Sequence, residues 1–134
     1  MTIADLKISW AEYHALIEQL ATTIQKSQWE FNQILCLAKG GLRIGDILAR
    51  IFDQPLAILN VASYGGTGNR ERGKLLFAEH FTNFGPLGDR LLLVDDLVDS
   101  GRSLQQTQTW LQTQAPQITE IRTAVLWYKG HSQF

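Results

Sequence analysis

Four short aliphatic runs constrain the fold more than any other feature of this chain: QILCLA (33–38), PLAILNVASY (55–64), RLLLV (90–94) and EIRTAVLWY (120–128). A short apolar run bounded by turn or polar residues, as QILCLA is by Gly40-Gly41, predicts a buried strand. Between the runs the spacing changes. LRIGDILARIF (42–52) repeats Ile44, Ile47, Leu48 and Ile51 at helical intervals, and SLQQTQTWLQTQA (103–115) predicts a second helix after the third run. Ahead of them, SWAEYHALIEQLATTIQKS (9–27) places apolar residues at 10, 13, 16, 17, 20, 21 and 24, with Ser9 and Glu12 at capping-box spacing. GGTGNRERGK (65–74) predicts a mobile loop, and LLFAEHFT (75–82) a strand returning antiparallel from it. Strands alternating with helices predict a single α/β domain over 1–134, a mainly parallel sheet flanked by helices. Ligands of such sheets bind beyond the strand C-termini.

Composition narrows the function classes. A formal net charge of −1 offers no electrostatic basis for nonspecific binding to nucleic acid or an anionic membrane. No apolar stretch approaches the roughly 20 residues that span a bilayer, and the N-terminus lacks a basic start followed by an apolar run. Cys36 is the single cysteine, so no intrachain disulfide forms, which fits a reducing cytoplasm. With His14, His80 and His131 at no ligand spacing, a zinc site of cysteines and histidines is not expected.

The chemistry concentrates at the sheet edge, in AKGG after the first strand and in LLLVDDLVDSGRS (91–103) after the third. Asp95 and Asp96 sit where an aliphatic strand ends, an arrangement that costs stability unless a cation or hydroxyl-rich ligand relieves their repulsion. Carboxylates there can accept hydrogen bonds from a vicinal diol or hold water on Mg²⁺. Asp99-Ser100-Gly101-Arg102-Ser103 then leads into a helix, and its amides and hydroxyls can cradle a phosphate. Diol and phosphate together describe a ribose 5-phosphate. The plainer alternative is a serine cap with solvated acids. A second glycine-rich stretch, Gly68 to Lys74, fits the G-x-x-x-x-G-K frame, but Leu75 stands where a P-loop needs Ser or Thr, and LLFAEHF does not read as the required helix.

LLLVDDLVDSGRSL resembles the phosphoribosyl-diphosphate (PRPP) binding motif of the type I phosphoribosyltransferases, with serine at 100 and 103 where threonine is common. CLAKGGLRIGDILAR is similar to the family's pyrophosphate loop. ASYGG resembles the Ser-Tyr that opens the mobile loop of the 6-oxopurine enzymes, and LWYKG their last core strand, which ends in a base-recognising lysine. The resemblance covers about Gln33 to Lys129. It implies that Lys39, Gly40 and Gly41 meet pyrophosphate, with backbone amides approaching at the glycines. It implies that Asp95 and Asp96 hold the ribose hydroxyls and organise Mg²⁺, and that Ser100, Gly101, Arg102 and Ser103 bind the 5-phosphate. Asp99 is implied to be the general base near N7 of the purine, Ser63 and Tyr64 the loop hinge, and Lys129 the donor to the purine O6.

The sequence departs from that pattern beyond Lys129, where Gly130 replaces the usual proline and only five residues follow, Phe134 being the last of them. The C-terminal hood that stacks on the base is thus expected to be truncated or absent, which leaves three explanations open: the sequence is cut short, Phe134, Trp127, Tyr128 or a neighbouring subunit supplies the ring, or a base is no longer bound tightly. The resulting expectation is a Mg²⁺-dependent enzyme moving ribose 5-phosphate from PRPP to a purine base, with release of pyrophosphate. A non-catalytic PRPP or nucleotide sensor and a transferase for another acceptor are the alternatives. A homo-oligomer stays open.

Overall fold

The computed structural model describes residues 2–3, 6–63, 75–97, 102–128 and 131–134. A short antiparallel hairpin, β1 (Thr2–Ile3) with β2 (Leu6–Lys7), precedes helix α1 (Trp10–Ser27). The capping box forms as the sequence predicts: Ser9 Oγ accepts from the Glu12 N–H at 3.0 Å, and the Ser9 N–H donates to Glu12 Oε1 at 2.9 Å. Tyr13, Ile17, Leu20, Ala21 and Ile24 form the buried stripe of α1, and the helix ends at Gln28 in the left-handed conformation, φ 61°.

The chain then alternates through β3 (Gln33–Ala38), α2 (Leu42–Phe52), β4 (Leu56–Ser63), β5 (Leu75–Phe77), β6 (Arg90–Leu97), α3 (Arg102–Gln114), β7 (Glu120–Tyr128) and β8 (His131–Gln133). The main sheet has six strands in the order β5-β4-β3-β6-β7-β8. The inner four are parallel, while β5 and β8 pair antiparallel at the two edges. The antiparallel return of 75–77 was legible in the sequence, whereas β8 and the N-terminal hairpin were not. Among the described residues, no helix is long and apolar enough to cross a membrane.

Period-two alternation divides the strands between two cores. Ile34, Cys36, Leu92, Val94, Ala124 and Leu126 face α1 and α2, joining Ile17, Leu20, Ile44 and Leu48. Leu35, Leu37, Leu91, Leu93 and Val125 face the other side, with Leu104 and Leu111 of α3. All six residues of β3 are buried, as strands covered on both faces must be, and this explains their uninterrupted apolar run. Gly45 lets α2 sit close on the sheet, since a Cβ there would lie 2.7 Å from Cys36 Cβ.

The edges are tied down by specific contacts. Phe77 stacks on Trp110 of α3 at 4.9 Å, and the Leu75 N–H donates to Gln106 Oε1 at 3.2 Å, so β5 is docked on that helix. At the opposite edge Phe134 packs beside Trp29, ring centroids 6.1 Å apart, with the Arg122 guanidinium 4.9 Å from the Trp29 ring. Where the sheet begins, Gln33 is buried. Its Nε2 donates to the Pro55 carbonyl at 3.1 Å, and its Oε1 accepts from the Gly88 N–H at 3.2 Å and from Asn83 Nδ2 at 3.3 Å. Replacing it by an isosteric hydrocarbon leaves the Gly88 N–H without this acceptor, at roughly 1–3 kcal/mol. Gln33→Leu is therefore expected to lower the unfolding free energy by that amount, seen as a lower urea midpoint with an unchanged m-value.

Candidate active site at the switch point of the sheet

The direction in which parallel strands are added reverses between β3 and β6, because β3 continues through α2 to β4 on one side and β6 through α3 to β7 on the other. At such a switch point the two connections diverge and leave a crevice beyond the strand ends. Both functional stretches of the sequence lie there. In register, Cys36 pairs with Val94, so the ends of the two strands bring the turn Lys39–Gly41 against Asp95 and Asp96.

The acids are not loop residues. β6 runs on through them to Leu97, and Asp95 pairs with Val125 of β7. Strand alternation alone would part the two side chains. Instead the Asp95 carboxyl turns back towards Asp96, its Oδ1 accepting the Asp96 N–H at 2.8 Å. Burial pushes the Asp95 carboxyl up to about 7, the negative charge of Asp96 adds to the rise, and the Asp96 amide opposes it. This pair therefore holds less negative charge near neutrality than two free carboxylates would.

Gly41 is required by space, and Gly40 is closely faced by a side chain. A Cβ on Gly40 would run into the Asp96 carboxylate, 2.6 Å from Oδ2, and one on Gly41 would lie 2.6 Å from the Val94 carbonyl oxygen and 3.0 Å from that of Leu37. The turn is sealed by the Gly41 N–H donating to the Leu37 carbonyl at 2.8 Å and the Leu42 N–H to that of Lys39 at 3.1 Å; the Ala38–Lys39 peptide is cis. The Gly41 amide is thus engaged within the turn, and the close packing requires the residue's lack of a side chain.

Lys39 lines an open cleft of about 550 Å³ with Leu42, Arg43, Asp46, Leu56 and Ile58. Two neighbours of the site carry no mark in the sequence. Tyr13 of α1 is buried, its hydroxyl pushed up by burial and then by the charge of Asp96, with Arg43 acting the other way. Arg43, two residues past Gly41, carries its guanidinium 4.7 Å over the Trp10 ring. Tyr13 is hidden within a helical core stripe, and Arg43 comes after the glycine turn without any motif to signal it.

Asp99, Ser100, Gly101, Tyr64 and Lys129 lie outside the described residues, as do the side chains of Ser63, Arg102 and Ser103 and the Gly68–Lys74 segment. Asp95 and Asp96 are brought together with Lys39, Gly40 and Gly41. Phe134 is not: it packs against Trp29 and Arg122 towards the strand N-termini, so it does not supply a ring at this site. No group of three or more His, Cys, Asp or Glu side chains that could hold a metal ion occurs among the described residues.

Two consequences are measurable in the protein without ligand. Gly41→Ala meets backbone on two sides and is expected to cost about 1–3 kcal/mol, as overpacking does. Gly40→Ala meets only a side-chain end, which can swing away, so its urea midpoint should shift by less than half as much. Asp95, being raised when folded, binds a proton in the native state between about pH 4 and 7 that the unfolded chain releases. Its contribution to stability is present below the ordinary carboxylate range and is lost as pH rises through about 7. Wild-type stability relative to Asp95→Asn should thus fall across that window. The drop is at most a few kcal/mol, since each tenfold change in proton affinity is worth about 1.4 kcal/mol; parallel pH profiles would refute it.

Relatives share this architecture. The signature of the phosphoribosyl transferase domain matches residues 9–134. The chain is 29% identical over 106 residues to the xanthine-guanine phosphoribosyltransferase of Roseobacter denitrificans, a match covering 73% of this chain and 60% of that protein. It is 30% identical over 79 residues to the hypoxanthine/guanine phosphoribosyltransferase of Methanopyrus kandleri, covering 56% and 42%. It therefore spans less than two thirds of the length of these curated relatives. The crystal structure of a purine phosphoribosyltransferase from Pyrococcus horikoshii superposes with a TM-score of 0.68 at 26% identity, over 88% of this chain and 73% of the other. A xanthine-guanine-hypoxanthine phosphoribosyltransferase from Helicobacter pylori shares the fold with a TM-score of 0.70 at 23% identity, over 87% and 73%. With the glycine turn and double acid meeting at the switch point, and the domain signature extending from Ser9 to Phe134, this chain belongs to the phosphoribosyltransferase family.

Proposed function

We propose that this protein transfers ribose 5-phosphate from PRPP to N9 of a purine base, a 6-oxopurine in preference to adenine, with release of pyrophosphate. The observation that carries the reading is the packing of the Lys39-Gly40-Gly41 turn against Asp96 at the β3–β6 switch point. It sets a cation for the leaving group beside carboxylates for the sugar. The names of the Roseobacter and Methanopyrus relatives, both 6-oxopurine enzymes, support the choice of acceptor.

Displacement at the anomeric carbon passes through an oxocarbenium-like transition state, so the protein's work is alignment and charge. Lys39 neutralises the departing pyrophosphate. Asp95 and Asp96 accept hydrogen bonds from the ribose hydroxyls, and Ser100, Gly101, Arg102 and Ser103 bind the 5-phosphate. Asp99 takes the proton from N7, Ser63 and Tyr64 form the hinge of a loop that excludes water, and Lys129 donates to O6. The donors fit Mg²⁺, which favours carboxylate oxygen and retained water. A cation here would also favour the ionised form of Asp95, against the burial and the Asp96 charge that raise it. Asp95 and Asp96 would hold it, and when bound it supplies charge neutralisation on pyrophosphate.

One observation favours a second reading, a PRPP or nucleotide sensor without turnover: Phe134 is engaged at the far edge of the sheet and stacks on nothing at the site. Pyrophosphate release should be followed with PRPP and Mg²⁺, with guanine, xanthine, hypoxanthine, adenine or no base, and nucleotide formation measured in the same tubes. Base-dependent turnover with oxopurines ahead of adenine is expected, and Asp99→Asn should lower it about 100-fold, the usual scale for a lost general base. PRPP binding without turnover would replace the transferase by the sensor.

A further inference from the structure

Resting on the PRPP reading above, we propose that Arg43 is a second pyrophosphate-binding cation, held at the cleft by the ring of Trp10. Arg43 and Lys39 line the same cleft, at the turn that joins β3 to α2. The guanidinium is exposed, and among the described residues no carboxylate lies within ion-pair reach of it. Asp46, the acid of the same cleft, is engaged by Arg50 at 3.0 Å. The first turn of a helix is a poor place for a cation, because the aligned peptide dipoles leave positive charge there. The helix itself therefore gains nothing from an arginine at 43, whereas a polyanion in the cleft would.

Trp10 fixes where that charge sits. Its ring lies 4.7 Å from the guanidinium carbon, a cation–π distance. The ring is half exposed, yet it meets Tyr13 edge-on at 5.8 Å, and Tyr13 is buried in α1. Arg43 is thereby tethered through a rigid helix. A diphosphate presents several anionic oxygens on two phosphorus centres. A lysine meets it as a point charge and an arginine as a planar fork, so the two cations are complementary and not redundant. A sugar monophosphate lacking the diphosphate has no group to place at this cleft.

Isothermal titration with inorganic pyrophosphate, PRPP and ribose 5-phosphate, each with Mg²⁺, tests the assignment on the full chain. Arg43→Gln is expected to weaken pyrophosphate and PRPP about 10- to 30-fold, the scale of one lost charge-assisted contact, and ribose 5-phosphate less than twofold. Trp10→Ala should weaken the first two about three- to fivefold, and Trp10→Phe should retain most of the affinity. Lys26→Gln, in the last turn of α1 and away from the cleft, should change nothing. Arg43→Gln binding pyrophosphate as wild type does, or losing ribose 5-phosphate to the same degree, overturns the inference alone. A wild-type chain that binds neither PRPP nor pyrophosphate overturns the PRPP reading and this assignment with it. Arg43→Lys, expected to fall between wild type and Arg43→Gln, keeps the test open if the glutamine variant is poorly folded.

Discussion

The parallel pairing of β3 with β6, Gln33–Cys36 against Leu91–Val94, is the contact on which the rest of the molecule depends. Both strands are buried on both faces, so each must be covered by helices, and the helix that leaves each strand end is the nearest chain able to do it. β3 leads through α2 to one side and β6 through α3 to the other, which divides the apolar side chains into two cores. The crevice beyond the pair is a consequence of that divergence. Its chemistry is confined to the few residues between strand end and helix start, where backbone leaves the sheet and side chains reach a ligand.

Close approach governs those residues. The turn after β3 lies so near the end of β6 that side chains at 40 and 41 would meet a carboxylate and two carbonyl oxygens. The same proximity sets the electrostatics. Asp95 is desolvated by the strands around it and sits beside Asp96, so its proton affinity rises. Close packing at the strand end therefore has two effects, a steric demand for glycine at 41 and a raised Asp95 carboxyl.

Much of this was legible in the sequence because buried parallel strands and amphipathic helices impose different periods. QILCLA, LRIGDILARIF and EIRTAVLWY match β3, α2 and β7 residue for residue. The third strand extends past Val94 to Leu97, since charged side chains at a strand end break an apolar pattern without breaking the ladder. β8 left no signal, being three residues that pair antiparallel with β7. Within the site, Lys39, Gly40, Gly41, Asp95 and Asp96 were marked by local pattern. Tyr13 and Arg43 were not, because the proximity of Tyr13 to Asp96 and of Arg43 to Trp10 comes from the packing of α1 against α2 and the sheet.

By itself the sequence determined the class of fold, the identity of the two functional stretches and the family they resemble. Each of these is written in short-range spacing. Only the tertiary structure decided that Gly41 is enclosed between the ends of β3 and β6 with its amide held in the turn, and that Phe134 packs at the strand N-termini, away from the site. It also decided that Arg43 stands over Trp10 in the cleft of Lys39. These depend on distances between residues remote in the chain, which the balance of packing across the whole sheet fixes and no local pattern encodes.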